Sequence, residues 1–264
     1  MDAPVSSVTA ERQAGTTPRP RSAWGGILTA LVPVLVVTGA EFLTRRYLVF
    51  LSPPLGVYRN NDLLALALVY ALIIFAMLRT SRGKLGVLGF SDFKEFLLRL
   101  SSDRKFSATF TLLFAGFAVS IAVGTALDSL LGMKLSLPAF GPAPHAVRPE
   151  NPTSFALFAM AALAVAVNGL WVPVAEEMVW RGAVYGNLRT HLGIWPSVIV
   201  TALFFSLKHV TVDLSLSRIL MVLLFGFWLA LIRERTSLAG AALAHVAANT
   251  TATTLALILG RFPR

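Results

Sequence analysis

The 264-residue chain is 56% hydrophobic and only 14% charged, carries a formal net charge of +10 and has a mean hydropathy of +0.71. That excludes an ordinary soluble domain, whose aqueous core cannot hide so much apolar surface. The basic residues lie between apolar runs instead of on one face, which speaks against nucleic acid as a partner, and the absence of cysteine excludes disulfides, thiolate zinc sites and a cysteine nucleophile.

Residues 1–24 are rich in Ser, Thr, Pro and Ala without an apolar period, and are expected to form a disordered tail. The first apolar run spans about Gly25–Leu43. Thr38 and Ala40 mimic the small residues of a signal-peptidase site, but the run continues past them, so an uncleaved first helix is expected. Further runs follow at Leu63–Leu78, Phe106–Leu131, Ser154–Arg189, Ile194–His209, Ser217–Ile232 and Leu238–Leu259. The fold class is therefore all-α: a polytopic transmembrane helical bundle of seven helices, or eight if the fourth run breaks. That run would extend about 54 Å at about 1.5 Å per residue, against a hydrocarbon core of about 30 Å. Asn168-Gly169, followed by Pro173, is the expected place for a kink or break.

Three units are expected: the tail 1–24, N-terminal transmembrane helices over 25–150 with a basic loop at 79–105, and a C-terminal core over 151–260. The basic loop holds Arg79, Arg82, Lys84, Lys94, Arg99, Arg104 and Lys105, and the tail holds Arg12, Arg19 and Arg21. The bias of Lys and Arg places both in the cytoplasm, with the N-terminus. Within the loop, the stretch Phe90–Leu100 alternates charge and apolar residues at helical spacing and should lie along the cytoplasmic interface. Anionic membrane lipid is the partner this charge distribution suits.

Charged side chains at bilayer depth cost several kcal/mol and are usually partnered or functional. Glu176 and Glu177 stand together in the apolar stretch Leu170–Ala183, with Arg181 after them; His209 follows in Phe205-x-x-x-His209, and His245 and Asn249 on the last run. Glutamate, histidine and asparagine are groups that activate water and hold an oxyanion, so a hydrolase site within the membrane is expected. His245 and Asn249, four apart, face the same side of a helix, while Glu176 and Glu177 diverge by about 100° and should have different jobs. Glu177 and Arg181, also four apart, read as an internal salt bridge, making Glu177 and Arg181 structural. Glu41, beside Arg45 and Arg46, reads as an interfacial ion pair, and Asp128 as an interfacial residue. His191 in a turn and His145 in a Pro-rich loop join no constellation.

The set Glu176-Glu177-x-x-x-Arg181, Phe205-x-x-x-His209 and His245-x-x-x-Asn249, in that order on late apolar helices, resembles the CPBP family, the CAAX prenyl endopeptidases and bacteriocin-processing or Abi proteins. The resemblance covers roughly residues 155–259. It implies intramembrane endopeptidase activity on a peptide or membrane-protein substrate, with catalytic Glu176, His209, His245 and Asn249: Glu176 as general base, His209 orienting the water, and His245 with Asn249 stabilising the oxyanion. Phe205 is a motif position with a structural part.

Metal dependence stays open at this point. Members of the family have been described as metalloproteases, and Glu176, His209 and His245 could ligate zinc. Yet they come from three helices without H-E-x-x-H spacing, and a metal-free mechanism without a cofactor is preferred. Two other classes stay in play: a non-proteolytic scaffold or bacteriocin-immunity protein of the same fold, and a proton-coupled transporter. The Pro-, Arg- and Ala-rich composition without cysteine suggests a bacterial inner membrane.

Overall fold

The structure is a computed structural model that describes residues 23–44, 60–80, 88–132 and 154–258. All but the last two residues of the expected tail, most of the loops after the first and third apolar runs, His145, and the Arg45 and Arg46 expected to pair with Glu41 lie outside the described residues. Among the described residues there are eight helices and no strand: α1 (Ala23–Leu43), α2 (Asn60–Thr80), α3 (Phe90–Ser102), α4 (Arg104–Leu130), α5 (154–192), α6 (Ile194–Asp213), α7 (Ile219–Arg235) and α8 (Leu238–Ile258). The seven apolar runs are all helical, and the eighth helix is the amphipathic α3. Five helices are long and apolar enough to cross a membrane, and their outward faces are apolar, with Leu35, Leu112, Phe158, Trp195 and Leu255 exposed. This is an integral membrane protein, whose outward apolar side chains meet lipid instead of water.

The fourth run does not break. It stays one helix by changing its winding: Ser154–Ala164 is α-helical, Val165–Trp171 π-helical, Val172–Glu177 α-helical, Met178–Val184 π-helical and Tyr185–Leu192 α-helical. The backbone N–H of Val172 reaches back to Val167 O and that of Tyr185 to Trp180 O, five residues in each case. Pro173 explains the first wide turn. It has no N–H, so the carbonyls of Asn168 and Gly169 lose the donor of the next turn. Helix α8 supplies replacements: Asn249 Nδ2 donates to Asn168 O at 3.2 Å and Thr250 Oγ1 to Gly169 O at 3.1 Å. Gly169 permits the approach, since a Cβ there would lie 2.9 Å from Thr250 Oγ1.

The chain turns from α5 into α6 at Gly193, whose φ of 82° lies in the left-handed region that favours glycine. Helix α7 is gripped between α4 and α6, while α5 packs against α8 on one side and against α1, α2 and α6 on the others. At one end of the bundle, Arg189 on α5 pairs with Glu234 on α7 at 3.1 Å and Tyr185 Oη donates to Glu234 at 2.7 Å. Helix α3 lies at that end, its Phe96 buried beside Phe106 and Ala239.

Asp128, at the end of α4, has partners that the sequence did not show. Its two carboxylate oxygens accept from the backbone N–H groups of Leu220 and Met221 at 3.1 and 2.9 Å, so α4 caps the first turn of α7. These are amides that a helix leaves unpaired, at the positive end of its dipole. Asp128→Ala should lower stability by about 1–2 kcal/mol, read as a lower thermal unfolding midpoint in detergent, with the helical content of the folded protein unchanged.

Candidate active site

Successive residues on a helix point about 100° apart, and Glu176 and Glu177 use this to face two different sets of partners. Both are buried, at 3% and 0% exposure. Glu177 looks toward α7 and α8. Its Oε1 accepts from Arg181 Nη1 at 2.8 Å, the i,i+4 pair expected from the spacing, and lies 2.8 Å from His245 Nδ1. Arg181, fully buried, also donates from Nη2 to Gly226 O at 3.0 Å and sets its guanidinium over the Phe205 ring at 4.7 Å. Glu177 therefore does more than hold its own helix, because it also fixes the last helix through His245.

Glu176 looks toward α2 and α6. Its Oε1 accepts from Tyr70 Oη at 2.8 Å and from Lys208 Nζ at 2.6 Å, while its Oε2 lies 3.6 Å from His245 Nε2. Lys208 also pairs with Glu41 Oε2 at 2.5 Å, and Tyr70 Oη stands 3.0 Å from that same oxygen. At 1% exposure Glu41 sits inside the bundle with Lys208, whose ammonium is shared between two carboxylates.

The five helices α1, α2, α5, α6 and α8 meet through these contacts, with α7 joined by Gly226. Phe205 fills the space between the histidines: its ring meets those of His209 and His245 at centroid separations of 4.9 and 6.2 Å, both edge-on, and stacks on Phe225 at 6.1 Å. His209 is half-buried on α6, next to Lys208. Asn249 lies one turn beyond His245 on α8, half-buried, with its amide on Asn168 O. Glu176, Glu177, Arg181, Phe205 and His245 form one contiguous cluster, His209 borders it through Phe205, and Asn249 reaches it along α8.

Sequence reasoning missed Glu41, Tyr70 and Lys208 as members of this cluster. Two of them carried a usable signal: Lys208 and Glu41 are opposite charges within apolar runs, and charges at such depth need partners. Tyr70 carried none, since a tyrosine in an apolar helix is unremarkable as a core residue. A cavity of about 250 Å3 opens elsewhere, lined by Asp92, Arg99, Phe106, Arg233 and Ser237 at the α3 end, and none of its lining residues belongs to the cluster.

Among the described residues no group of three or more His, Asp or Glu side chains is disposed to hold a metal ion. The Lys208 ammonium 2.6 Å from Glu176 Oε1 repels a divalent cation at that oxygen, whereas His245, with Nδ1 on Glu177, keeps Nε2 on the side of Glu176 Oε2.

No curated protein and no solved structure matches the chain. A family model does: residues 158–251 match type II CAAX prenyl endopeptidase Rce1-like. The matched stretch runs from α5 into α8 and contains the Glu-Glu, Phe-His and His-Asn motifs, leaving Glu41 and Tyr70 outside it. That stretch of this membrane protein is thus similar to the type II CAAX prenyl endopeptidase Rce1-like family, a family of proteases.

Proposed function

We propose that the protein is an intramembrane endopeptidase in which Glu176 activates water and His245 and Asn249 stabilise the oxyanion, without a metal or cofactor. The observation that carries this reading is the placement of Glu176: a buried carboxylate whose Oε1 takes two donors while Oε2 faces His245 Nε2, inside a stretch matched to a protease family.

In this mechanism a water at Glu176 Oε2, oriented also by His209, gives up its proton to that oxygen as its own oxygen attacks the scissile carbonyl carbon. The tetrahedral oxyanion that forms is met by His245 Nε2–H and Asn249 Nδ2–H. Collapse breaks the C–N bond, and the proton held on Glu176 passes to the leaving amine. Glu177 has a distinct part. Its carboxylate is an acceptor, so Nδ1 of His245 carries a hydrogen toward it, and Nε2 donates as well only when the ring is the imidazolium. A buried carboxylate behind a histidine orients the ring and stabilises that charged form. Asn249 has two amide hydrogens; with one on Asn168 O, the other serves the oxyanion. The end of the bundle bearing α3, Arg189 and Arg233 faces the cytoplasm, by the Lys and Arg bias, with the N-terminus on that side, in a bacterial inner membrane. The substrate is a peptide segment or membrane-protein tail entering from the bilayer.

Glu176→Gln keeps the shape of the side chain but cannot take a proton, so cleavage of a labelled peptide library by the purified protein should vanish while its thermal unfolding persists. Cleavage retained in this variant would remove the general-base assignment, and a wild type that binds peptide without cutting it would favour a scaffold of the same fold. Arg181→Ala instead removes the only arginine the structure sets on the buried Glu177, leaving it His245 alone of its two charge partners; breaking such a pair costs about 3–5 kcal/mol and should appear as a loss of folded protein in size-exclusion chromatography. Asn249→Ala should lower turnover by about 10²- to 10³-fold and stability by about 1 kcal/mol, because it also orphans Asn168 O. Activity is expected to survive exhaustive chelation; loss that zinc restores, with stoichiometric zinc by elemental analysis, would overturn the metal-free choice and leave the hydrolase reading standing.

A further inference from the structure

Resting on the assignment of Glu176 as the base, we propose that Tyr70, Lys208 and Glu41 are positioning residues that fix the Glu176 carboxylate, so that the catalytic unit extends into α1 and α2, beyond the family-matched segment 158–251. Tyr70 comes from α2, Lys208 from α6 and Glu41 from α1. All are buried at 2% exposure or less.

The arrangement is specific to one oxygen. Tyr70 Oη and Lys208 Nζ both donate to Oε1 of Glu176, at 2.8 and 2.6 Å. Two donors on one oxygen, one of them charged, hold the plane of the carboxylate more firmly than a single bond can. Oε2 is then turned to the side of His245, whose Nε2 stands 3.6 Å away. A base must meet its water at hydrogen-bond distance and in line, and a misplacement of about 1 Å can cost about 10²-fold in rate. Holding Oε1 therefore selects Oε2 as the oxygen that works.

Glu41 completes the clamp by acting on the two donors. The Lys208 ammonium has three hydrogens and divides them between Glu41 Oε2 at 2.5 Å and Glu176 Oε1 at 2.6 Å. Tyr70 has one hydrogen for two carboxylates, with Glu176 the nearer and Glu41 Oε2 at 3.0 Å. A single carboxylate would draw the ammonium wholly onto itself. Two carboxylates at nearly equal distance share it, so a residue of α1 sets where Lys208 sits on Glu176. Lys208 in turn keeps two close like charges from repelling each other, a role that a neutral side chain cannot fill.

The test uses the purified full chain in detergent and two readouts. The first is the infrared difference spectrum between the wild type and Glu176→Gln with isotope-labelled glutamate, which isolates the Glu176 carboxylate stretch. The proposal expects that band to shift in Tyr70→Phe and in Glu41→Gln. The second is kinetic: Tyr70→Phe should lower kcat about 10- to 100-fold, the size of one lost bond to a charged group, with KM within about twofold and the thermal midpoint nearly unchanged. Lys208→Arg should regain part of what Lys208→Met loses. An unshifted Glu176 band in both Tyr70→Phe and Glu41→Gln overturns the clamp, as does a loss expressed in KM alone. A wild type without any cleavage would defeat the protease reading, and the infrared band would still decide whether these three residues hold Glu176.

Discussion

A charge inside a membrane bundle has no water to lean on, and this constraint organises the molecule more than any packing preference does. Five charged side chains are buried together: Glu41, Glu176, Glu177, Arg181 and Lys208. None can be left alone at a cost the fold can absorb, since an isolated buried charge costs several kcal/mol. The solution is a chain of shared contacts in which Lys208 serves two carboxylates and Glu177 serves both Arg181 and His245. All of these contacts but Glu177–Arg181 cross from one helix to another. The charges thus work as crosslinks between helices that lipid would otherwise not hold together, because apolar faces gain little by leaving one apolar medium for another.

The same constraint explains the unusual winding of α5. Met178–Val184 follows directly on the two glutamates and contains Trp180 and Arg181. A uniform α-helix would carry this stretch around the axis at a steady 100° per residue. Its wide turn changes the phase, and wide turns of this kind recur at functional sites. The first wide turn has a separate origin in Pro173, and its exposed carbonyls recruit Asn249 and Thr250 from α8. One backbone defect therefore decides where the last helix sits, and with it where His245 stands relative to Glu176.

How much of this was legible in the sequence varied by feature. The seven apolar runs were clear, because a membrane span needs sustained hydrophobicity, and the amphipathic α3 announced itself by its alternation. The Glu177–Arg181 pair followed from i,i+4 spacing, a local rule. The contact of Glu41 with Lys208 was hidden for the opposite reason: the two are remote in sequence, and only the fold brings α1 against α6. The partners of Asp128 were hidden likewise, since they are backbone amides of α7, to which no side-chain pattern points. The break expected at Asn168-Gly169 was half right. The proline does disturb the helix, but a bundle with a neighbouring donor can absorb a lost hydrogen bond without ending the element.

The division between matched and unmatched sequence gains a physical meaning from these contacts. Residues 158–251 contain the three motifs, and a reading confined to them would treat α1 and α2 as spacers. Yet Lys208 lies within the match and bears one positive charge against two carboxylates, one of which, Glu41, lies outside it. If α1 were absent, Lys208 would lose Glu41; if α2 were absent, Oε1 would lose its hydroxyl donor. The orientation of the Glu176 carboxylate therefore depends on helices that carry no motif. In a bundle of this kind the residues that set how a motif side chain is held are free to come from any helix that reaches the same depth.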